Sequence, residues 1–331
     1  MPETLITGAT GFVGQHLLKA LVSQGRKVVC LVRPQSDIAA IEQPGVRIFR
    51  ADLCNQESLM GCCQNIETVF HVAGHASLRT QKKDALLVNT LGTRNLLEEI
   101  TKSGTVTRFI YISSLTAISQ TRGKKLTHPI TDPCNAYPDT AYGQSKREAE
   151  QCVLQFAKQA NMPYTILRPA MIYGPGSRPD AGINAITQAI TSNALIGRLN
   201  LPGTFSLIYI GDLIRLCLNV EKNPKAINQT YLVCDGQPIT FGQLIHQIRQ
   251  QINCPSPLVK IPGIFFQLLN KTYDVLDQFL HVSRIVPSYL FSPIGACLSC
   301  MSNALQKELD FIPQYSLSEG LAETLRNDPC A

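Results

Sequence analysis

Short apolar segments alternate with longer amphipathic segments along the first half of the chain. The short segments have the length and β-branched content of buried strands, and they lie at residues 3–7, 27–32, 46–51, 68–72, 108–112 and 164–167. The longer segments repeat apolar residues every three to four positions, which predicts helices, and they lie at residues 12–24, about 82–103 and 141–160. This alternation predicts an α/β fold in which helices cover both faces of a doubly wound parallel sheet.

The second half of the chain has a weaker pattern. After about residue 175 the predicted elements become shorter and prolines are frequent. We therefore expect residues 1–175 to form the main sheet domain. Residues 176–331 are expected to form a smaller C-terminal substrate lobe, which is interleaved with the sheet by segments that return to it.

A glycine-rich turn joins the first predicted strand to the first predicted helix. Gly8 allows a tight turn, Gly11 lets the backbone approach a phosphate, and Gly14 lets the helix pack on the strand. The N–H groups at the start of such a helix can bind a pyrophosphate. Because the turn follows a strand and opens a helix, it predicts a Rossmann-type dinucleotide site. The residues expected to contact this cofactor are Gly8, Thr10, Gly11, Phe12, Val13 and Gly14.

The end of the second strand indicates which cofactor is used. Enzymes that use NAD usually place a carboxylate there for the ribose hydroxyls, whereas the 2′-phosphate of NADP requires a cation. This chain has Arg33 directly after the strand and no carboxylate before Asp37. A guanidinium can hold a phosphate through two parallel hydrogen bonds. NADP(H) is therefore favoured, and NAD(H) is the alternative.

Tyr142 and Lys146 form a candidate catalytic pair. They lie four residues apart on a predicted helix and share one face. A tyrosine with a pKa of about 10 is a poor base at neutral pH, but a nearby ammonium lowers that pKa. Ser113 and Ser114, at the end of the fifth strand, are both candidates to stabilise charge on a substrate oxygen. The set predicts proton transfer by Tyr142 coupled to hydride transfer by a nicotinamide.

The order of these motifs resembles that of the extended short-chain dehydrogenases, the NAD-dependent epimerase/dehydratase family. The resemblance covers most of the chain, and it ends in a segment at 309–325 that is similar to the family's closing helix. The motifs that carry it are residues 7–14 (TGATGFVG), 52–53 (DL), 69–74 (VFHVAG), 89–93 (NTLGT), 112–114 (ISS), 142–146 (YGQSK), 168–175 (RPAMIYGP) and 209–213 (YIGDL).

The resemblance implies roles for individual residues. It assigns the catalytic serine to Ser114 rather than Ser113, and it implies that Asn89 holds a backbone carbonyl or a water in a proton relay. The further cofactor contacts that it implies come from Asp52, Leu53, Ala73, Gly74, Tyr142, Lys146 and Pro169. Because the family often dimerises through the helices at 82–103 and 141–160, a homodimer with C2 symmetry is expected. Leucines of the first helix and Val153, Leu154 and Phe156 of the second are expected to contribute to it.

Three branches of this family differ near the active site. Nucleotide-sugar dehydratases carry an Asp-Glu pair after the active serine or threonine, where this chain has Leu115-Thr116. Epimerases usually carry an asparagine shortly after Arg168, and here none is present before Tyr173. Residues 168–175 look more like the branch of 3β-hydroxysteroid dehydrogenases and dihydroflavonol reductases.

That branch implies interconversion of a secondary alcohol and a ketone on an apolar, sterol-like or flavonoid-like substrate. A nucleotide-sugar epimerase is the alternative, because Arg198 and Arg215 could bind a diphosphate. A non-catalytic NAD(P)-sensing regulator is disfavoured because the catalytic Ser, Tyr and Lys are all present.

Charge and composition restrict the partners. The net charge of +6 is scattered in short clusters, so no nucleic-acid partner is expected. The twelve cysteines lack metal-ligand spacing and are expected to be reduced thiols, while His71 and His75 are expected to be structural, so no metal is predicted. The sequence has no apolar run of about 20 residues and a strand begins near Leu5, so we expect a cytoplasmic protein without a transmembrane segment. An apolar stripe at 264–282 fits core packing, a substrate wall or a face for peripheral membrane contact.

Overall fold

The structure is a computed structural model of the 331-residue chain. It describes residues 3–75, 85–119, 130, 138, 140–180, 182–201, 203–254, 259–260 and 297–326. The apolar stripe predicted at 264–282 lies outside the described residues.

A seven-stranded sheet forms the centre of the molecule, and all its neighbouring strands are parallel. Its strands are β1 (Glu3–Thr7), β2 (Val28–Val32), β3 (Val46–Arg50), β4 (Ile66–His71), β5 (Arg108–Ile112), β6 (Tyr164–Pro169) and β11 (Gln229–Val233). The spatial order is β11-β6-β5-β4-β1-β2-β3. From β1 the chain adds β2 and β3 on one side, and β4, β5 and β6 follow on the other side, so the strand order reverses between β1 and β4. In such sheets ligands bind at the carboxyl ends of the strands around this point.

Helices cover both faces of the sheet, which confirms the predicted doubly wound α/β fold of Rossmann type. The helices are α1 (Phe12–Ser23), α2 (Gly92–Ser103), α3 (Ala141–Ala160), α4 (Gly182–Thr191), α5 (Ile210–Lys222), α6 (Phe241–Gln251), α7 (Asn303–Leu309) and α8 (Leu317–Arg326). Helices α1 and α5 pack together on one face, and α2 and α3 on the other. Successive residues of a strand point to opposite faces, so Ile6 joins the first core and Leu5 the second.

Three elements differ from the sequence-based expectation. The long helix predicted at 82–103 is a π-helical turn, Leu86–Leu91, followed by α2, and residues 82–84 lie outside the described part. The closing helix predicted at 309–325 is formed only by α8; α7 precedes it and ends at Asp310, which takes a left-handed conformation with φ of 51°. Strand β11 was not identified from the sequence, although its return to the sheet agrees with an interleaved second half.

The remaining strands are short, and all begin at or after Met171. They are β7 (Met171–Tyr173), β8 (Leu199–Asn200), β9 (Thr204–Phe205), β10 (Leu207–Tyr209), β12 (Ile239–Thr240), β13 (Val259–Lys260) and β14 (Cys297–Leu298), and they pair in three small sheets. The division at residue 175 stays a prediction. Among the described helices, none is both long enough and apolar enough to cross a bilayer.

Candidate active site

The glycine-rich turn fits a pyrophosphate group. Gly8 has a φ of 73°, and a Cβ there would lie 2.8 Å from the backbone of Ala73, while a Cβ on Gly14 would lie 2.1 Å from the Gly8 carbonyl oxygen. The first helical hydrogen bond of α1 runs from the Gln15 N–H to the Gly11 carbonyl at 2.9 Å, and no side chain caps the helix. The N–H groups of the first turn are therefore unpaired within the helix and can bind an anion. A side chain at Gly8 or Gly14 would therefore force the backbone of this turn apart and disrupt the proposed pyrophosphate site.

The carboxyl ends of β2 and β3 carry the residues predicted to contact the adenosine half of the cofactor. Arg33 is exposed, and its carbonyl oxygen accepts from the Ser36 N–H at 3.0 Å. Its guanidinium forms no ion pair or hydrogen bond within the described part of the chain. Asp52 accepts a hydrogen bond from the Cys54 N–H at 2.9 Å, so one carboxylate oxygen already holds the local turn. Leu53 is buried under α2, where a Cβ on Gly92 would lie 3.0 Å from the Leu53 Cβ.

A second arginine at this end was not identified from the sequence. Arg50 is exposed, and its Nη1 donates to the Pro34 carbonyl oxygen at 2.7 Å. In the register of the sheet, Arg50 is the partner of Val32, which immediately precedes Arg33. The only signal in the sequence is an arginine at the end of the third strand. Its relevance depends on the pairing of two strands, which the sequence pattern does not reveal.

Ser114 and Tyr142 meet at the end of β5. Ser114 lies beside the Tyr142 phenol. Burial raises the pKa of Tyr142 to about 12, and the neighbouring Ser114 hydroxyl opposes this shift. Helix α3 starts here because Thr140 caps it by accepting from the Gly143 N–H at 3.0 Å. A Cβ on Gly143 would lie 2.4 Å from the Thr116 carbonyl oxygen, so only glycine lets the start of α3 approach the turn after β5 this closely.

The two adjacent serines have different surroundings. Ser113 is buried and donates to Glu150 at 2.5 Å, and Glu150 also accepts two hydrogen bonds from the Arg168 guanidinium at 2.9 and 2.7 Å. Ser114 instead faces Tyr142. The geometry is therefore compatible with Ser114 as the reactive serine, because Ser113 is engaged in a buried ion-pair network.

Lys146 is buried one turn after Tyr142. Its Nζ donates to the Ile112 carbonyl oxygen at 2.7 Å and lies 4.8 Å above the Tyr111 ring. Burial lowers the pKa of Lys146 to about 8, and the Glu150 carboxylate partly opposes this shift. A buried ammonium with a lowered pKa is unusual outside functional sites.

Asn89 lies in the π-helical turn and is buried. Its Oδ1 accepts from the His75 N–H at 2.7 Å, and its Nδ2 donates to the Ser145 hydroxyl at 2.8 Å. The Asn89 Nδ2 also donates to the His75 carbonyl oxygen at 3.4 Å, and the role of Asn89 in a proton relay stays a prediction. A Cβ on Gly74 would lie 3.1 Å from both Asn89 Oδ1 and Lys146 Nζ. The turn therefore brings Asn89, Gly74 and Lys146 together, and such π-helical turns occur frequently at functional sites.

His71 is buried beneath this site and has a hydrogen-bond partner at each ring nitrogen. It stacks on Tyr111 with ring centroids 5.4 Å apart, its Nδ1 lies 2.7 Å from the Thr7 hydroxyl, and its Nε2 lies 2.9 Å from the Thr93 hydroxyl. The Thr93 hydroxyl donates to the Asn89 carbonyl, so it must accept from Nε2, and Nδ1 is left to accept from Thr7. Burial lowers the pKa of His71 to about 3 and keeps it neutral.

The remaining predicted residues lie along the same edge of the sheet. Ala73 donates its N–H to the Thr7 hydroxyl at 3.1 Å, and Pro169 is buried at the end of β6 beside Val233. The two arginines considered for a diphosphate are both engaged. Arg198 donates to Asn193, whereas Arg215 bonds Asp212 at 2.8 Å and stacks over an aromatic ring. Neither geometry favours the epimerase alternative.

Comparison with known proteins agrees with this arrangement. The model of the NAD dependent epimerase/dehydratase family matches residues 4–234. Sterol demethylase protein B from Methylococcus capsulatus is 31% identical over 319 residues, which cover 94% of this chain and 93% of the relative. UDP-glucose 4-epimerase from Vibrio cholerae is 28% identical over 313 residues, which cover 89% of this chain and 90% of the relative.

The fold is also that of a solved epimerase. The crystal structure of UDP-glucose 4-epimerase from Thermotoga maritima with UDP-glucose has a TM-score of 0.78 at 22% identity and covers 98% of each chain. A family model that matches most of the chain, together with the relative at 31% identity, agrees with the motifs of the glycine-rich turn and the Tyr142 helix. The chain belongs to the NAD dependent epimerase/dehydratase family.

Proposed function

We propose that the protein is an NADP(H)-dependent oxidoreductase that interconverts a secondary alcohol and a ketone on an apolar, sterol-like or flavonoid-like substrate. The observation that carries the proposal is the placement of Ser114 beside the Tyr142 phenol at the end of β5, with the buried Lys146 one turn along α3. A proton donor and a base of this kind, at the carboxyl edge of a dinucleotide-binding sheet, suit alcohol and ketone chemistry.

In the proposed mechanism, the chain moves the proton and stabilises charge. A nicotinamide cofactor held by the glycine-rich turn and Lys146 would supply the hydride chemistry at the substrate carbon. Tyr142 takes the hydroxyl proton of the alcohol during oxidation and gives it back to the ketone oxygen during reduction. Ser114 donates a hydrogen bond to that same oxygen, where negative charge develops. The Lys146 ammonium favours the phenolate form of Tyr142.

The preference for NADP(H) over NAD(H) is supported by the surroundings of Arg33. Its guanidinium is exposed and unpaired among the described residues, so it can bind a phosphate without breaking another contact. The first carboxylate after the second strand, Asp37, accepts from the Ala39 N–H at 3.0 Å and therefore caps its own turn. A ribose diol would find no carboxylate directly at the end of β2.

The choice of dehydrogenase chemistry is supported by the branch motifs and by one relative. The position at which a dehydratase has its glutamate holds Thr116, and the sterol demethylase relative is named for an apolar substrate. The epimerase alternative is supported by the relative from Vibrio cholerae. The two functions require different substrates and predict different products, so a direct assay separates them.

The test is a pair of incubations of the purified protein. The first supplies NADP⁺ and a panel of hydroxysteroids and flavonoid alcohols, and follows the absorbance of the reduced nicotinamide. The second supplies NAD and UDP-glucose, and follows UDP-galactose by chromatography. Alcohol oxidation without sugar epimerisation is expected. Epimerisation without any alcohol oxidation would overturn the proposal in favour of the alternative.

We also propose a C2 homodimer formed by the π-helical turn and α3. Leu87, Leu91 and Leu154 are 39%, 36% and 44% exposed, and these two elements pack against each other. Val153, which was expected to contribute, is fully buried in the core instead. An apolar patch of this kind is often covered by a partner. A monomer mass in light scattering at micromolar concentration would contradict the dimer.

A further inference from the structure

We propose that Thr116 is a positioning residue that makes the Ser114 hydroxyl a donor toward Tyr142 and the substrate oxygen. The proposal rests on the proposed function, because it concerns the same site. Two contacts support it: the Thr116 hydroxyl donates to Ser114 Oγ at 2.8 Å, and the Thr116 N–H donates to the same oxygen at 3.2 Å.

The hydrogen-bonding capacity of a hydroxyl explains the consequence. A serine hydroxyl has one proton to donate and two lone pairs to accept with. In Ser114 both lone pairs face donors of Thr116. What remains is the proton, which Ser114 can donate to the neighbouring Tyr142 oxygen and thereby favour its phenolate form.

A serine restricted to donation favours one protonation state of its neighbour. Its single proton can stabilise either the Tyr142 phenolate or a negatively charged substrate oxygen, because both are acceptors. It disfavours the neutral phenol, because Ser114 has no free lone pair to accept the phenol proton. Hydrogen bonds in a chain also polarise one another, which strengthens the donation. Thr116 therefore helps Tyr142 to act as a base.

The backbone holds Thr116 in place for this role. Ser114 is the N-cap of the 3₁₀ turn Leu115–Ala117, so the two hydroxyls lie two residues apart on the same half-buried side. The carbonyl of Thr116 lies against Gly143 at the start of α3, so the turn and the tyrosine helix pack together. The distance between Ser114 and Tyr142 therefore does not depend on the Thr116 side chain alone.

Among the described residues, no titratable side chain hydrogen-bonds Thr116. Tyr111 of β5 interacts electrostatically with Tyr142, Lys146 lies one turn along the same helix, and Lys146 in turn interacts with Glu150 and His71. The packed elements Leu86–Leu91 and Leu115–Ala117 contain no titratable side chain. A shift in the titration of Tyr142 after substitution of Thr116 can therefore be assigned to Ser114.

The test measures the titration of Tyr142 without substrate or cofactor. The phenolate absorbance is recorded after a rapid pH jump, before the chain unfolds. The Tyr142 signal is the difference between each protein and its counterpart that also carries Tyr142→Phe. In Thr116→Val the midpoint should rise by about half a pH unit to one unit, which corresponds to one neutral hydrogen bond. Thr116→Ser should keep the wild-type midpoint, because it keeps the hydroxyl.

Thr101→Val is the matched control, because the Thr101 hydroxyl bonds the Leu97 carbonyl on α2, away from the site. It should leave the midpoint unchanged. If wild type oxidises alcohols or epimerises a sugar, Thr116→Val should also lower kcat about threefold to tenfold with little change in KM. An unchanged midpoint in Thr116→Val, or an equal rise in Thr116→Ser, would overturn the proposal. Because the midpoint needs no substrate, failure of the proposed function leaves this test intact.

Discussion

Two regions of the carboxyl edge of the sheet carry charged groups in different surroundings: the Arg33 end, at β2 and β3, and the Tyr142 end, at β4 and β5. At the Arg33 end, formed by Arg33 and Arg50, both guanidinium groups are exposed to solvent. At the Tyr142 end, formed by Tyr142, Lys146 and His71, the ammonium and the imidazole are almost fully buried. Burial raises the pKa of Tyr142 and lowers the pKa values of Lys146 and His71.

This difference predicts how each end responds to substitution. An exposed cation interacts with a ligand through solvent and salt, so each contact is modest and sensitive to ionic strength. A buried polar group has already lost its hydration, so removing or charging it has a large effect on chemistry or on stability. The Arg33 end should therefore tune affinity, whereas the Tyr142 end should determine turnover and pH dependence.

The largest effect is expected for Tyr142→Phe. The phenol is the proposed proton carrier, so turnover should fall by at least about 10²-fold, as is typical for loss of a general acid or base. Cofactor affinity should change little, because the ring remains. Turnover and calorimetric titration of the cofactor measure the two quantities. Tyr164→Phe, at the start of β6, is the matched control and should retain activity. Near-normal turnover of Tyr142→Phe would remove this residue from the mechanism.

A second effect concerns stability in acid. The pKa of His71 is about 3 in the folded protein and about 6.5 when unfolded, so the unfolded chain binds a proton that the folded chain does not bind between these values. The free energy of unfolding should therefore fall as the pH decreases below 6.5. Between pH 7 and pH 4, protonation of His71 in the unfolded chain alone should lower the free energy of unfolding by about 3 kcal/mol.

The measurement is urea unfolding of wild type and His71→Gln at pH 7 and pH 4. The variant lacks a titrating group and should lose less stability between the two pH values. His246→Gln, at an exposed position of α6, is the control and should follow wild type. If wild type and His71→Gln lose equal stability between pH 7 and pH 4, the titration of His71 does not cause the loss in acid.

The sequence predicts those parts of the site that depend on residues close together in the chain, and it misses those that depend on residues far apart. The glycine-rich turn and the pair of Tyr142 and Lys146 are local patterns, and the structure places both at the carboxyl edge as expected. The separate surroundings of Ser113 and Ser114 depend on Glu150, which lies 37 residues further along the chain from Ser113. No local pattern reveals such a contact.

Two other features also lay beyond the sequence pattern. The π-helical turn around Asn89 differs from an α-helix by its hydrogen-bond pattern alone, and its apolar spacing resembles that of the helix that follows. The position of Arg50 beside Pro34 depends on the register of β2 and β3. Parallel pairing between strands is set by the whole sheet, so it could not be read from either strand separately.

A smaller effect is expected for Arg33. A charge-assisted hydrogen bond contributes about 1.5–3 kcal/mol, so wild type should bind NADPH about tenfold to a hundredfold more tightly than NADH. Arg33→Ala should remove most of this preference by weakening NADPH, and Val32→Asp should shift it toward NADH. Calorimetric titration of each protein with both cofactors measures this. Equal affinities of wild type for NADPH and NADH would contradict the assignment of NADP(H). If Arg33→Ala weakens both cofactors to a similar extent, Arg33 contacts only the adenine.

The smallest effect is expected for Arg50. Its Nη1 donates to the Pro34 carbonyl, so its other nitrogen atoms are held near Arg33 and can add a second positive charge for a 2′-phosphate. Because the group is exposed, the contribution should resemble that of a surface ion pair. Arg50→Ala should therefore weaken NADPH about twofold to fivefold and leave NADH unchanged, and the loss should shrink at high salt.

Arg47 provides a matched control on the same strand. It is also exposed, but it pairs with Glu3 at 2.8 Å toward the amino end of the sheet, away from the carboxyl edge. Arg47→Ala removes the same charge from the protein and should not alter the affinity for either cofactor. If both variants weaken NADPH equally, the effect comes from net charge, and Arg50 has no specific place in the site. If Arg50→Ala alone weakens it, and less so in the background of Arg33→Ala, the effects of the two arginines on NADPH are coupled, as expected when both bind the same phosphate.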